Sequence, residues 1–191
     1  MNFPQLQYGF LVLLAWCLPV SFVHADYPDY PGFEAIFRAG ESREGSGAVL
    51  INEQDCTATT IGGQACLNIL ADTDPYEAVT WNFRIVHPRW FSSGNFTLRI
   101  AFVDDGAGLM MPQILAEDAF NGAYSGPTRQ HSYTRLNTGT LRHAWFEFTG
   151  NPSVPLESAH PHVRISGLQH LVELQIGPAL DDAAWQAIKD N

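Results

Sequence analysis

The segment Leu141 to Phe148, LRHAWFEF, sets two kinds of side chain in alternation. If Ala144, Phe146 and Phe148 turn toward a core, His143, Trp145 and Glu147 share the opposite face of an extended strand. A Trp ring beside an imidazole and a carboxylate suits a sugar. The ring stacks on the apolar face of a pyranose, and the polar groups exchange hydrogen bonds with its hydroxyls. Arg84 and Asn82 join that face if their strand is a neighbour. The competing reading packs Trp145 beneath a loop or against a second sheet.

Other residues invite site chemistry more weakly. Trp90 lies in HPRWFSSG with His87 and Arg89 close by, a loop aromatic that could hold a ligand or plug a sandwich edge. His160 and His162 are two residues apart, an acceptable spacing for metal ligands, with His170 or Glu173 as further donors. Pro161 stands between the first two, which favours a surface loop. Acidic groups that could hold calcium through hard oxygens gather at Glu41, Glu44, Asn52, Glu53 and Asp55, and again at Asp104 and Asp105. Adjacent aspartates are more often a solvated turn. No carboxylate pair is set on one strand in the manner of sandwich-fold glucanases, and no G-x-S-x-G elbow or phosphate loop is present, so catalysis has no motif here.

The elements that must position these residues read as strands. Val79, Trp81, Phe83 and Ile85 fall at every second position, as do Phe96, Leu98, Ile100 and Phe102, and then Val172, Leu174 and Ile176. Period two marks half-buried strands. Val163 and Ile165 repeat it briefly; Phe33 to Arg38, Ala48 to Asn52 and Tyr133 to Leu136 are further strand candidates. Gly and Pro turns separate them, which predicts an all-β antiparallel sandwich or barrel. Helix signals are few: Asp181 and Asp182 ahead of Ala183, Ala184, Trp185 and Ile188, and a short turn within Pro112 to Phe120.

Three pieces occur in order: NFTLRIAFVDDGAGL, NTGTLRHAWFEF and HVRISGLQHLVELQI. Together they resemble the β-jelly-roll of galactose-binding-like modules that accompany secreted bacterial glycoside hydrolases. The resemblance implies two packed antiparallel sheets, a ligand at the loop rim or on a sheet face, and often a structural calcium. It assigns no ligand residue here. The expectation is a secreted, non-catalytic module that recognises a neutral glycan through Trp145, His143, Glu147, Arg84 and Trp90. A cell-envelope structural or adhesion protein, or a small lyase or hydrolase on the same scaffold, are the competing readings.

Residues 1–25 read as a secretion signal, with the apolar run from Phe10 to Val23 and small residues at Val23 and Ala25 before Asp26. The run is too short to span a bilayer, so no membrane span is expected once it is cleaved. A lipidated Cys17 is disfavoured by the large Trp16 before it. Residues 26–191 then form one domain and carry the whole net charge of −10. Such a charge repels phosphate backbones and argues against nucleic acid as a partner, leaving neutral sugars, cations and basic partners open; a glycan or an envelope component is the partner expected. Cys56 and Cys66 remain, and in an oxidising compartment they should form a disulfide across a hairpin turning at Gly62-Gly63, a bond contributing about 2.8 kcal/mol.

Overall fold

The computed structural model describes residues 30–40, 47–50, 56–69, 80–85, 94–115, 125–149 and 162–190. The signal segment, Trp90 and the acidic group from Glu41 to Asp55 lie outside them.

The described chain is an antiparallel β-sandwich, as the alternation predicts. One sheet has seven strands: β3 (Cys56–Ile61), β4 (Gln64–Ile69), β13 (His170–Pro178), β6 (Phe96–Val103), β11 (Leu141–Phe148) and β9 (Arg129–His131) in that order, with β1 (Glu34–Arg38) also on β13. The other has four: β2 (Ala48–Leu50), β5 (Thr80–Ile85), β12 (His162–Ser166) and β8 (Met111–Leu115). A two-stranded ribbon, β7 (Ala107–Leu109) with β10 (Thr134–Leu136), and one helix, α1 (Asp182–Lys189), complete the described elements.

The period-two residues meet between the sheets. Phe96, Leu98, Ile100, Phe102, Ala144, Phe146 and Phe148 from the large sheet pack on Trp81, Phe83, Ile85, Val163 and Ile165 from the small one. Trp81 buries its polar edge as well, because Nε1 donates to the Leu168 carbonyl at 2.8 Å. That bond removes the penalty for an unpaired buried donor, about 1–3 kcal/mol.

Strand β13 departs from simple alternation. Its register against β6 shifts between Leu171 and Glu173, so Val172 is an extra residue. Leu171, Leu174 and Ile176 face the core, while Val172 joins Cys66, Ala101 and Val103 on the other side of the sheet. A bulge of this kind changes the inside-outside phase of a strand. Two other expectations also change. Met111–Leu115 is a strand, held on β12 from Met111↔Ser166 to Leu115↔His162, so the first half of Pro112 to Phe120 holds no helical turn, and residues 116–120 lie outside the described residues. The predicted hairpin forms with Gly62 and Gly63 both at positive φ, 58° and 84°, but it carries no disulfide. Cys56 is opposite Ile69 and Cys66 is opposite Thr59, three residues along. The odd offset turns the two thiols to opposite faces of the sheet: Cys56 packs on the main core and Cys66 on the outer cluster. A disulfide needs Cα atoms within about 7 Å and converging Cβ vectors, and this hairpin offers neither.

The capped terminal helix is present. Asp181 accepts from the Ala184 amide at 2.8 Å, and Trp185 and Ile188 face inward.

Candidate functional site

The outer face of the seven-stranded sheet carries three of the residues singled out from the sequence. Trp145, Glu147 and His143 do share it, with Ala144, Phe146 and Phe148 on the core side. The face is not open, however. Trp145 is only 7% exposed, held edge-on by Tyr30 at 4.7 Å and Phe33 at 5.7 Å and clustered with Trp185 and Ile188 of α1. This corrects the exposed platform expected at Trp145. A large apolar ring on the outer face is itself a surface that a second layer gains by covering, and the segment around Tyr30 and helix α1 supply that layer.

Glu147 is buried too. Its Oε2 accepts from Trp185 Nε1 at 3.2 Å, and Arg129 lies 4.8 Å above the Trp185 ring. His143 is partly buried; burial, and then the charge of Arg99, push its imidazole down to about 4. It is therefore neutral at physiological pH. Beside these residues a polar chain crosses four strands. Arg38 donates to Glu173 at 2.6 Å, Gln175 to Glu173 at 3.1 Å and Arg99 to Gln175 at 2.7 Å, and the Arg99 guanidinium lies 5.1 Å from the Trp145 ring centre. Glu147, Glu173 and Gln175 spend hydrogen-bonding capacity on protein groups, so the face acts as a second, polar core.

Arg84 is not part of this face. It sits on β5 in the other sheet, with the main core between it and Trp145. Its own face is lined across three strands. Asn82 is opposite Arg164, and Arg164 is opposite Gln113; Arg84 is opposite His162, and His162 is opposite Leu115; Thr80, Ser166 and Met111 form the next row. The inward turn of Trp81, Phe83, Val163, Ile165 and Ile114 fixes the side chains of Asn82, Arg84, Gln113, His162 and Arg164 outward. Arg84 and Met111 are exposed, and Asn82, Arg164, His162 and Gln113 are half-buried. Strands about 4.8 Å apart, with same-face residues about 6.7 Å apart along each, set amide, imidazole and guanidinium groups on a grid of sugar-ring dimensions. The alternation in HVRIS and in MPQIL signals that His162, Arg164 and Gln113 face outward; the order of strands that joins them to Arg84 has no local signal.

The other candidates fall apart or are used internally. His160 lies outside the described residues; of the others, His162 and His170 begin strands in different sheets, and Glu173 is bonded to Arg38 and Gln175, so these three do not converge. His170 Nδ1 instead meets Asp105 Oδ2. Asp104 is fully buried and accepts from the Leu136 amide at 3.0 Å, Thr138 Oγ1 at 3.1 Å and Arg142 Nη1 at 2.9 Å. Burial raises its carboxyl, but the Arg142, Leu136 and Thr138 hydrogen bonds and the Arg142 charge outweigh that and hold it below the usual range. Its acceptors organise the turn into β11 rather than a calcium ion. Among the described residues no group of three or more His, Cys, Asp or Glu is placed to hold a metal.

No family model matches the chain, and no curated protein sequence matches it. Among solved structures it is similar to a family 29 carbohydrate-binding module from Piromyces equi, at 9% identity over 78% of this chain and 93% of that one, with a TM-score of 0.46. It is also similar to the family 35 module from Paenibacillus barcinonensis, at 14% identity over 71% and 94%, TM-score 0.36. A third is TmCBM27, a carbohydrate-binding module studied for specific mannan recognition, at 9% identity over 78% and 86%, TM-score 0.33.

Proposed function

We propose that the chain is a secreted, non-catalytic carbohydrate-binding module that takes a neutral glycan on the outer face of its four-stranded sheet. The observation that carries this reading is the row Asn82–Arg164–Gln113 beside the row Arg84–His162: amide, guanidinium and imidazole groups fixed outward on three paired strands. Guanidinium forks donate to adjacent hydroxyls, and side-chain amides both donate and accept. Among the described residues this face has no carboxylate, so it offers no acid-base pair for glycosidic cleavage. The net charge of −10 works against broad contact with polyanionic chains and favours a neutral one. Trp90 follows the end of β5 by five residues in the sequence and is the ring proposed to stack on the sugar.

The test is calorimetric titration of the chain with soluble neutral polysaccharides, with polyuronates alongside, for wild type, Arg84→Ala, Arg164→Ala, Trp90→Ala and Trp145→Phe. Each lost charged hydrogen bond is worth about 1.5–3 kcal/mol, so each Arg variant should bind at least about tenfold more weakly with its fold intact. Trp145→Phe should bind as wild type does. Binding that survives both Arg changes, or sugar release in a reducing-end assay, would remove this reading.

A further inference from the structure

A sheet edge exposes unpaired N–H and C=O groups to any other strand, and proteins blunt such edges with short strands, charge, proline or bulges. Four of the five edge strands described in the two main sheets carry such a device. β9 is three residues long and includes Arg129; β2 is three residues long; β8 carries Pro112; and β1 is bulged between Ala35 and Phe37 and bears Glu34 and Arg38. β3 carries none. It is six residues long, CTATTI, in unbroken register with β4. From Cys56 to Ile69 there is no Asp, Glu, Lys, Arg or His, in a chain whose net charge is −10. Among the described residues β4 is its one neighbour, and Thr57, Ala58 and Thr60 are exposed.

The hairpin geometry shows which backbone groups face outward. A two-residue turn makes its flanking pair, Ile61 and Gln64, a hydrogen-bonded pair, and such pairs alternate along the ladder. Thr59 and Thr57 therefore bond to β4, while Ala58 and Thr60 aim their N–H and C=O at the open side. We propose that β3 is a self-association edge: a second copy of this chain adds its own β3 antiparallel to it, about a two-fold axis at Thr59, and continues the seven-stranded sheet. In that register Ala58 of each copy exchanges both backbone hydrogen bonds with Thr60 of the other, and the two Thr59 side chains meet across the axis. The occupant is a second copy because the edge is self-complementary. It is uncharged where a −10 molecule would otherwise repel itself, and Thr–Thr pairs across strands are favourable.

The experiment is sedimentation velocity on the chain from residue 26 onward, at protein concentrations from about 1 to about 100 µM, without glycan. Wild type should be a dimer at the upper end. Thr59→Lys and Thr59→Glu each place like charges on the axis and should weaken the dimer at least tenfold, and an equimolar mixture of the two should restore it as a heterodimer. Ala58→Pro removes one outward N–H without touching the β4 ladder and should also yield monomer, with far-ultraviolet circular dichroism unchanged. Gln130→Lys, on the opposite edge, should leave the dimer intact. A wild type monomeric at every concentration, a dimer that persists in both Thr59 variants, or a mixture that stays monomeric overturns the proposal. Because no glycan is present, these outcomes are independent of the sugar-binding reading.

Discussion

Trp185 Nε1 donates to Glu147 Oε2 at 3.2 Å, tying the terminal helix to the outer face of the large sheet. The ring is 1% exposed, and the helix has only one other buried residue, Ile188. Trp185→Ala should therefore release α1 and destabilise the fold by about 3–5 kcal/mol, the usual range for truncating a buried Trp. Glu147→Ala, which strands the indole N–H, should cost less, about 1–3 kcal/mol. Urea unfolding gives both values. Acrylamide quenching should show greater tryptophan accessibility in Trp185→Ala, since Trp145 loses part of its cover.

The two layers were legible to different degrees. Alternation in NFTLRIAF and LRHAWFEF places Phe96, Leu98, Ile100, Phe102, Phe146 and Phe148 on the core, because the side-chain period of a strand is a local property. The same pattern assigns Trp145 to the other face without saying whether that face is wet. Its cover comes from Phe33 and Trp185, both more than thirty residues away, and no period reports such a contact. Arg84 and Trp145 both point outward, but which sheet each belongs to depends on strand order, which neighbouring residues do not encode. The Val172 bulge was invisible for a similar reason, since LVELQI reads as an unbroken alternation at Val172, Leu174 and Ile176, and only pairing with β6 reveals the extra residue.

Asp104 is the polar keystone of the turn before β11. Removing it strands Arg142 and the Leu136 amide in a buried setting, so Asp104→Ala should lose about 3–5 kcal/mol, and Asp104→Asn, which keeps one acceptor, somewhat less. Its folded carboxyl titrates below the ordinary range. The stabilisation is thus full above the unfolded pKa of about 3.9 and is lost as pH falls through the lower folded value. Urea melts between about pH 5 and pH 2 should show a shallower acid loss for Asp104→Asn than for wild type.

His143 works on a different stretch of the pH axis. Its imidazole titrates near about 4 in the folded chain, against 6.5 when unperturbed, with burial the larger cause and Arg99 the second. Between those values the unfolded chain binds a proton that the folded chain refuses. Stability is therefore full above about 6.5 and declines as pH falls toward about 4. Partial solvent access limits the loss to about 1–2 kcal/mol. His143→Gln should flatten that segment of the stability curve, and the His143 ring resonances in an NMR titration should stay at their neutral positions through pH 6.

The cysteines give the last prediction. Because Cys56 and Cys66 project from opposite faces of one hairpin, the folded chain should show no stabilisation by oxidation. Unfolding midpoints with and without reductant should coincide, where a bridge of this loop length would separate them by about 2.8 kcal/mol. Burial first, and the nearby Asp105 carboxylate second, push the Cys66 thiol up to about 11, a shift its hydrogen bond with the Ile61 backbone only partly offsets. The thiolate that attacks an alkylating agent is therefore scarce at neutral pH. Iodoacetamide followed by mass spectrometry should modify Cys66 only slowly in the native protein and at the rate of an ordinary thiol in urea. A native chain whose mass falls by two hydrogens, with both thiols protected until reduction, would mean that the β3–β4 register differs from the one described.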